Sequence, residues 1–227
     1  MSTLKTRPMI VLASASPRRQ ELLALMGIVY RVEPADTEEK QQAGESPAVM
    51  VRRLSLAKAQ AAPCEDNAIK IAADTTVALG NRVLGKPESR QSAREMLELL
   101  RSREHRVLTG IAVQDCSQHL VSQQVAATPV FMRDYTAEEV ERYVASGDPM
   151  DKAGAYAIQN GSFDPVARIA GCYTNVVGLP LCHLYVALTV FGIKVPVHPL
   201  DCCPWAVQSG CCWAEPILHA AAVLESA

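Results

Sequence analysis

Long apolar runs are missing from this chain: none approaches the ~20 residues needed to span a bilayer. An excess of one charge is missing too. With 22 Lys+Arg against 24 Asp+Glu, no global field draws in nucleic acid or an acidic membrane, so any anion must be met by a local cluster. Aromatic residues make up only 5% and form no stacking motif, which argues against an RNA-binding surface. Cys-x-x-Cys spacing is absent. Of the eight cysteines, Cys64, Cys116, Cys172 and Cys182 are scattered singly and are expected as buried, reduced thiols. Cys202-Cys203 and Cys211-Cys212, in a tail with His198 and His219, are adjacent pairs that fit a tetrahedral zinc site poorly, so no structural metal is expected there. Lys5 and Arg7 precede an apolar stretch that stops at Ala13, too short for a signal peptide. The expectation is a soluble, cytoplasmic protein with no nucleic-acid or membrane partner.

What is present is an alternation of strand and helix signals. Met9-Ile10-Val11-Leu12 reads as a buried strand, and Leu22, Leu23 and Met26 recur at helical spacing before Gly27. Ser16 fits the N-cap of that helix and Pro17 its first position. Residues 32–44 form an acidic loop with Glu33, Asp36, Glu38 and Glu39. Ser46-Pro47 opens a second helix carrying Lys58. Residues 69–73 read as a strand ending on Asp74-Thr75-Thr76-Val77, and Gly80-Asn81 as a hairpin turn that delivers Gly85-Lys86-Pro87. A helix over 91–100, two long strands over 107–116 and 120–132, and a capping-box helix from Thr136 follow. Asp151 to Gln159 is expected to enter a short strand. Another strand is expected near 166–169, and a helix from Gly178-Leu179-Pro180 to about Phe191. The pattern predicts an α/β fold with a mixed, twisted sheet flanked by helices. It spans residues 1–195, followed by a Cys-rich appendage over 196–227 in which only 216–224 reads as helical.

One conflict points to chemistry. A helix N-terminus carries unpaired N–H groups and positive partial charge, yet Arg18 and Arg19 sit in its first turn, an arrangement that favours a bound anion. Further cations are Lys58, Lys86 and Lys152; the carboxylates are Glu38, Glu39, Asp74 and Asp151. Carboxylates beside a phosphate site make sense when a divalent cation such as Mg²⁺ separates them, and a metal-bound water handed to a nearby carboxylate would be the nucleophile. Each residue also has a plainer reading: Asp74 as a strand-end residue bonding local backbone, Lys58 and Lys86 as solvated charge, Glu38 and Glu39 as a solvated loop, Gln159 as a strand cap.

Five blocks in order carry a resemblance. They are Leu12-Ala13-Ser14-Ala15-Ser16-Pro17-Arg18-Arg19-Gln20-Glu21-Leu22-Leu23; Ala73-Asp74-Thr75; Gly85-Lys86-Pro87; Asp151-Lys152-Ala153-Gly154-Ala155-Tyr156 with Ile158-Gln159; and Val177-Gly178-Leu179-Pro180. From about Met9 to Lys194 the chain resembles the Maf family of nucleoside triphosphate pyrophosphatases, also described as septum-formation-inhibitor-like proteins. The resemblance implies a central cleft in an inosine-triphosphatase-like α/β body, usually dimeric, and a divalent metal, Mg²⁺ or Mn²⁺. Asp74 would accept the proton from water, with Lys58 and Lys86 holding and polarising the triphosphate. Ser14, Arg18 and Arg19 would form the phosphate loop with Lys152 nearby, and Glu39, Glu38 and Asp74 would hold the metal. Arg18, Thr75 and Gln159 match positions tied to base choice in the branch acting on dTTP and UTP. The sister branch acting on 7-methyl-GTP and a non-catalytic regulator of cell division are the alternatives. The family usually has Gly after Gln159, whereas here Asn160 precedes Gly161, and residues 162–165 lack its glycine-rich run.

Overall fold

The computed structural model describes residues 8–225, with side chains as far as His219; Lys5 and Arg7 lie outside them. Its centre is one seven-stranded sheet. The strands are β1 (Met9–Leu12), β2 (Tyr30–Val32), β3 (Ala68–Leu79), β4 (Arg82–Leu84), β5 (Glu104–Asp115), β6 (Leu120–Met132) and β7 (Val166–Ile169). Their order is β2-β1-β3-β5-β6-β7, with β4 paired to β3. The β1 strand runs parallel to both β2 and β3, and every other pairing is antiparallel. The mixed, helix-flanked α/β sheet predicted from the sequence is the one found.

Helices cover both faces: α1 (Pro17–Leu25), α2 (Pro47–Ala61), α3 (Arg90–Leu100), α4 (Ala137–Ala145), α5 (Tyr173–Val177) and α6 (Leu181–Thr189). Side chains alternate across a strand, so β3 offers Ala72 and Asp74 to one face and Ile71, Ala73 and Thr75 to the other. On the first face α2 packs through small residues, Ala59 and Ala62 against Ala72 and Ala112. Gly110 makes the closest approach: a Cβ there would lie 2.2 Å from the Val51 carbonyl oxygen. Gly110 pairs with Asp74 across the β3–β5 ladder. The missing side chain therefore lets α2 lie low over the strand position that carries Asp74.

The opposite face holds two apolar clusters. One joins β1, α1 and α6 through Leu12, Leu23, Met26, Ile71, Leu184 and Leu188. The other joins α3, α4 and the far halves of β3, β5 and β6 through Val77, Leu97, Leu100, Val130, Val144 and Phe163. Between them the edge of β3 is bare. The β1 strand pairs with Ala68–Ile71 and β4 with Val77–Leu79, so among the described residues no strand covers 72–76 on that side.

Several local expectations change. Asp74 does not end a strand but sits in the middle of a 12-residue one, because pairing to β5 continues on the other edge. Residues 148–155 form two 3-10 turns, Asp148–Asp151 and Ala153–Ala155, and no strand follows into Gln159; Gly154 takes φ +69° there. Cys64 and Cys116, expected as separate reduced thiols, form a disulfide between the loop after α2 and the end of β5, and Cys64 is exposed. Beyond residue 196 three helices occur, α7 (Pro199–Cys202), α8 (Pro204–Ser209) and α9 (Ala214–Glu225), where only the last was foreseen. Cys203 enters the first apolar cluster, with Cys202 and Ala206 packed against it. Among the described residues no helix is long and apolar enough to cross a membrane.

Candidate active site

The bare stretch of β3 opens into a cleft of about 420 Å³, within the size range of small-molecule sites. Ser14, Arg18, Arg19, Glu39, Lys58, Asp74, Thr75, Lys86, Lys152 and Gln159 all line it. Asp151 lines it too, so eleven of the twelve positions singled out in the sequence meet in one place. The twelfth, Glu38, stands outside and pairs with exposed Lys40 at 2.8 Å, so it is not brought to the other carboxylates.

At the centre, Lys58 Nζ donates to Asp74 Oδ1 at 2.6 Å and to Glu39 Oε1 at 2.5 Å. Lys58 and Asp74 are buried while Glu39 is half-exposed. A lone charge at such depth is costly, and the shared ion pairs offset that cost. One of the three Lys58 N–H donors and the Asp74 Oδ2 atom have no partner among the described residues. Burial pushes the Glu39 pKa up, but the Lys58 bond and charge, helped by Lys86 and Arg19, outweigh it and hold the carboxyl below its usual range. Exposed Lys86 stands at the mouth on the loop after β4. Gly154 N–H donates to the Gly85 carbonyl at 3.0 Å, which fixes that loop.

The β1–α1 loop is built differently from the expectation. Ser16 occupies the N-cap position, but its side chain makes no capping bond. Ser14 Oγ instead accepts the Ser16 N–H at 3.3 Å and an Arg19 guanidinium N–H at 3.2 Å, which leaves the Ser14 hydroxyl hydrogen free to donate. Arg19 Nε also donates to the Gly178 carbonyl at 2.9 Å, and its other terminal nitrogen to Thr75 Oγ1 at 3.1 Å. Burial lowers the Arg19 pKa, and the charges of Asp74 and Glu39 oppose that. With three of five donors committed, Arg19 is a cross-link between the loop, β3 and α5 that keeps two N–H groups in reserve. Arg18 is freer, making one 3.4 Å contact to Asp151. The backbone N–H groups of this first turn have no intrahelical acceptor.

Across the cleft, Lys152 donates to the Asp148 carbonyl at 2.6 Å, to Asp148 Oδ1 at 3.0 Å and to Asp151 Oδ1 at 2.6 Å. All three of these bonds go to the first of the two 3-10 turns, Asp148–Asp151. Burial raises the Asp151 pKa, but Lys152 and Arg18 hold the carboxyl below its normal range. Asn160, where the resemblance implies glycine, has a working side chain: it donates to Asp148 Oδ2 at 3.1 Å and accepts from Phe163 N–H at 2.9 Å. Gln159 is exposed in this wall. The residues that sequence reasoning missed are Gly110 and Asp148. A glycine inside an apolar strand is a signal for close backbone approach and could have exposed the first; nothing local marks the second.

The description "Maf-like protein" fits residues 9–191 of the chain. A protein of Pelotomaculum thermopropionicum is 45% identical over 187 residues, covering 82% of this chain and 98% of the relative, and is named dTTP/UTP pyrophosphatase. Relatives under the same name in Geobacter sp. (strain M21) and Dictyoglomus thermophilum are 46% and 44% identical, covering 81% and 82% of this chain and 95% and 97% of theirs. Among solved structures, a HAM1 protein from Coxiella burnetii overlays 56% of this chain and 74% of its own at 18% identity, with a TM-score of 0.41.

Proposed function

The chain belongs to the Maf-like protein family, and on that premise we propose that it hydrolyses dTTP and UTP between the α and β phosphates. The products are the nucleoside monophosphate and pyrophosphate, and the purpose is to clear unwanted or modified pyrimidine nucleotides from the pool. The observation that carries the reading is the Glu39–Lys58–Asp74 cluster set in the same cleft as the arginine-bearing helix N-terminus and Lys86. Anion binding alone needs the cations; a buried carboxylate among them is what hydrolysis adds.

Asp74, through its unpartnered Oδ2, takes a proton from the water as a P–O bond forms and the α–β anhydride bond breaks. Lys58 keeps that carboxylate in place. Arg18, Lys86, the Ser14 hydroxyl and the first-turn N–H groups meet the phosphate oxygens and offset charge on the leaving pyrophosphate. Arg19 holds Thr75 and the Gly178 carbonyl in register, and Gln159 offers one donor and one acceptor to a base edge. The donor set also suits Mg²⁺ or Mn²⁺. Glu39 and Asp74 already bring carboxylate oxygens to one ammonium at 2.5 and 2.6 Å, and hard cations take one or two carboxylates plus substrate phosphates. Bound there, such a cation would lower the pKa of water.

The test is pyrophosphate release from dTTP, UTP and 7-methyl-GTP with Mg²⁺ or Mn²⁺. Release from the pyrimidine nucleotides, abolished in Asp74→Asn, supports the reading. An Asp74→Asn protein working at the unsubstituted rate overturns the assigned base.

A further inference from the structure

On the sheet face opposite α2, the middle of the β3–β5 ladder is apolar apart from one cross-strand pair. Ile71, Ala73 and Val77 lie opposite Val113, Ile111 and Val107, and between them Thr75 lies opposite Thr109. The pair stands at the seam of the two apolar clusters: Ile71, Ala73, Ile111 and Val113 belong to one, Val77 and Val107 to the other. Thr109 is fully buried and does not line the cleft, whereas Thr75 does. Valine would fill either place with nearly the same shape, so the two hydroxyls call for an explanation, and their hydrogen bonds supply it. A guanidinium can only donate, so Thr75 Oγ1 accepts from Arg19 at 3.1 Å. The two hydroxyl oxygens are 2.9 Å apart, and Thr109 Oγ1 lies 3.1 Å from the Asn175 carbonyl oxygen in α5. Asn175 is fully buried, and its carbonyl has no other donor among the described residues. The Thr109 hydrogen therefore goes to that carbonyl, and Thr109 Oγ1 accepts from Thr75. The Gly178 carbonyl is a poorer acceptor for Thr75, at 3.5 Å. Asn175 is itself fixed, its side-chain amide donating to the Val107 carbonyl and to Thr128 Oγ1, each at 2.9 Å. Every hydrogen in the series thus points inward, from Arg19 through Thr75 and Thr109 to Asn175.

We propose that Thr109 is a positioning residue for Arg19: by taking the Thr75 hydrogen it presents Thr75 Oγ1 to the guanidinium as an acceptor, and so helps hold the fork in the pose that grips phosphate. This rests on the pyrophosphatase reading above. Arg19 spends one N–H on Gly178, one on Ser14 and one on Thr75, which leaves one on each terminal nitrogen for the phosphate oxygens of the substrate. Two-point binding of phosphate depends on the orientation of the guanidinium plane as well as on its charge. One hydrogen bond in such a series is worth about three- to tenfold in binding.

The experiment titrates inorganic pyrophosphate into the full chain and into Thr109→Val, Thr109→Ser and Arg19→Lys by calorimetry, with kcat/KM for UTP alongside and circular dichroism to verify folding. The expected result is a pyrophosphate Kd raised about three- to tenfold in Thr109→Val, with kcat/KM lowered by a similar factor. Thr109→Ser restores the unsubstituted values, because a hydroxyl is back between Thr75 and Asn175. The decisive comparison is the double variant: in an Arg19→Lys background Thr109→Val changes the Kd by less than about twofold, since no fork remains to be held. Thr75→Val breaks the same link from its other side and takes the place of Thr109→Val should that protein not fold. An unchanged pyrophosphate Kd in the folded variant overturns the proposal, and so does an equal loss in both backgrounds. Failure of the underlying reading looks different: the unsubstituted chain itself then releases no pyrophosphate from UTP, and the proposal falls with it.

Discussion

Two charged clusters face each other across the cleft, and they are built to different rules. Glu39, Lys58 and Asp74 form the first, on α2, β3 and the loop before α2; Lys58 and Asp74 side chains are 9% and 7% exposed. Arg18, Asp151, Lys152 and Asp148 form the second, on α1 and on and just after the 3-10 turn Asp148–Asp151, with Asp151 65% and Asp148 35% exposed. Both contain a buried lysine with two carboxylate partners. In the first, regular elements pin the backbone, so the ion pairs are free to carry chemistry. In the second, the lysine spends its donors on carbonyl and carboxylates of its own turns, so the ion pairs shape the wall. Depth and backbone type, more than residue identity, separate a reactive cluster from a scaffolding one.

The largest effect that contrast predicts is catalytic. Asp74→Asn should lower kcat for UTP by about 10²- to 10⁴-fold, the usual worth of a positioned general base. Asp151→Asn should change it by less than about threefold, since removing an exposed pair alters little. Equal losses in a steady-state assay would erase the distinction.

In stability, Lys58→Met should cost about 3–5 kcal/mol by urea unfolding, because it strands Asp74 without a counter-charge. Asp151→Asn should cost about 1 kcal/mol or less. The α2 placement behind the first cluster has its own test. Gly110→Ala puts a methyl group into the Val51 carbonyl, and a loss of about 1–3 kcal/mol with reduced turnover is expected; an unchanged melting temperature would show that α2 does not depend on that contact.

Two smaller effects belong to the frame that holds both clusters. Reducing the Cys64–Cys116 link, which closes a separation of 52 residues, should cost about 2–4 kcal/mol, seen as a lower urea midpoint with dithiothreitol. His105 is buried, its Nε2 2.7 Å from the Tyr156 hydroxyl and its Nδ1 without a partner. Burial lowers its pKa from 6.5 to about 4. The unfolded chain therefore takes up a proton below about pH 6.5 that the folded one refuses until about pH 4, so stability falls as pH drops through that window. His105→Gln should flatten this part of a stability–pH profile.

Periodicity made the regular elements legible: α1 to α4, the β3–β4 hairpin and the β5–β6 pair follow from apolar spacing, caps and a Gly-Asn turn. The cleft was legible as a set of residue types, because an arginine pair at a helix N-terminus conflicts with the dipole unless an anion is near. Short elements escaped. The three residues of β2 and five of α5 are too few to show a period, and the turns over 148–155 are held by Lys152 reaching back to Asp148, a contact with no sequence signature. Glu38 and Glu39 are neighbours indistinguishable by composition, yet only Glu39 enters the cleft.

The sequence by itself determined the mixed α/β class, where α1 to α4 begin, and an inventory of cations and carboxylates suited to a triphosphate. Only the tertiary structure decided that Asp74 lies mid-strand beside an uncovered edge, that Arg19 and Lys152 act largely as cross-links, that Cys64 meets Cys116, and that Trp205 stacks on Tyr173. The reason is range. Propensity, capping and periodicity act over a few residues along the chain, whereas a salt bridge, a disulfide or a ring stack is fixed by how distant segments pack, and that is settled by the whole core at once.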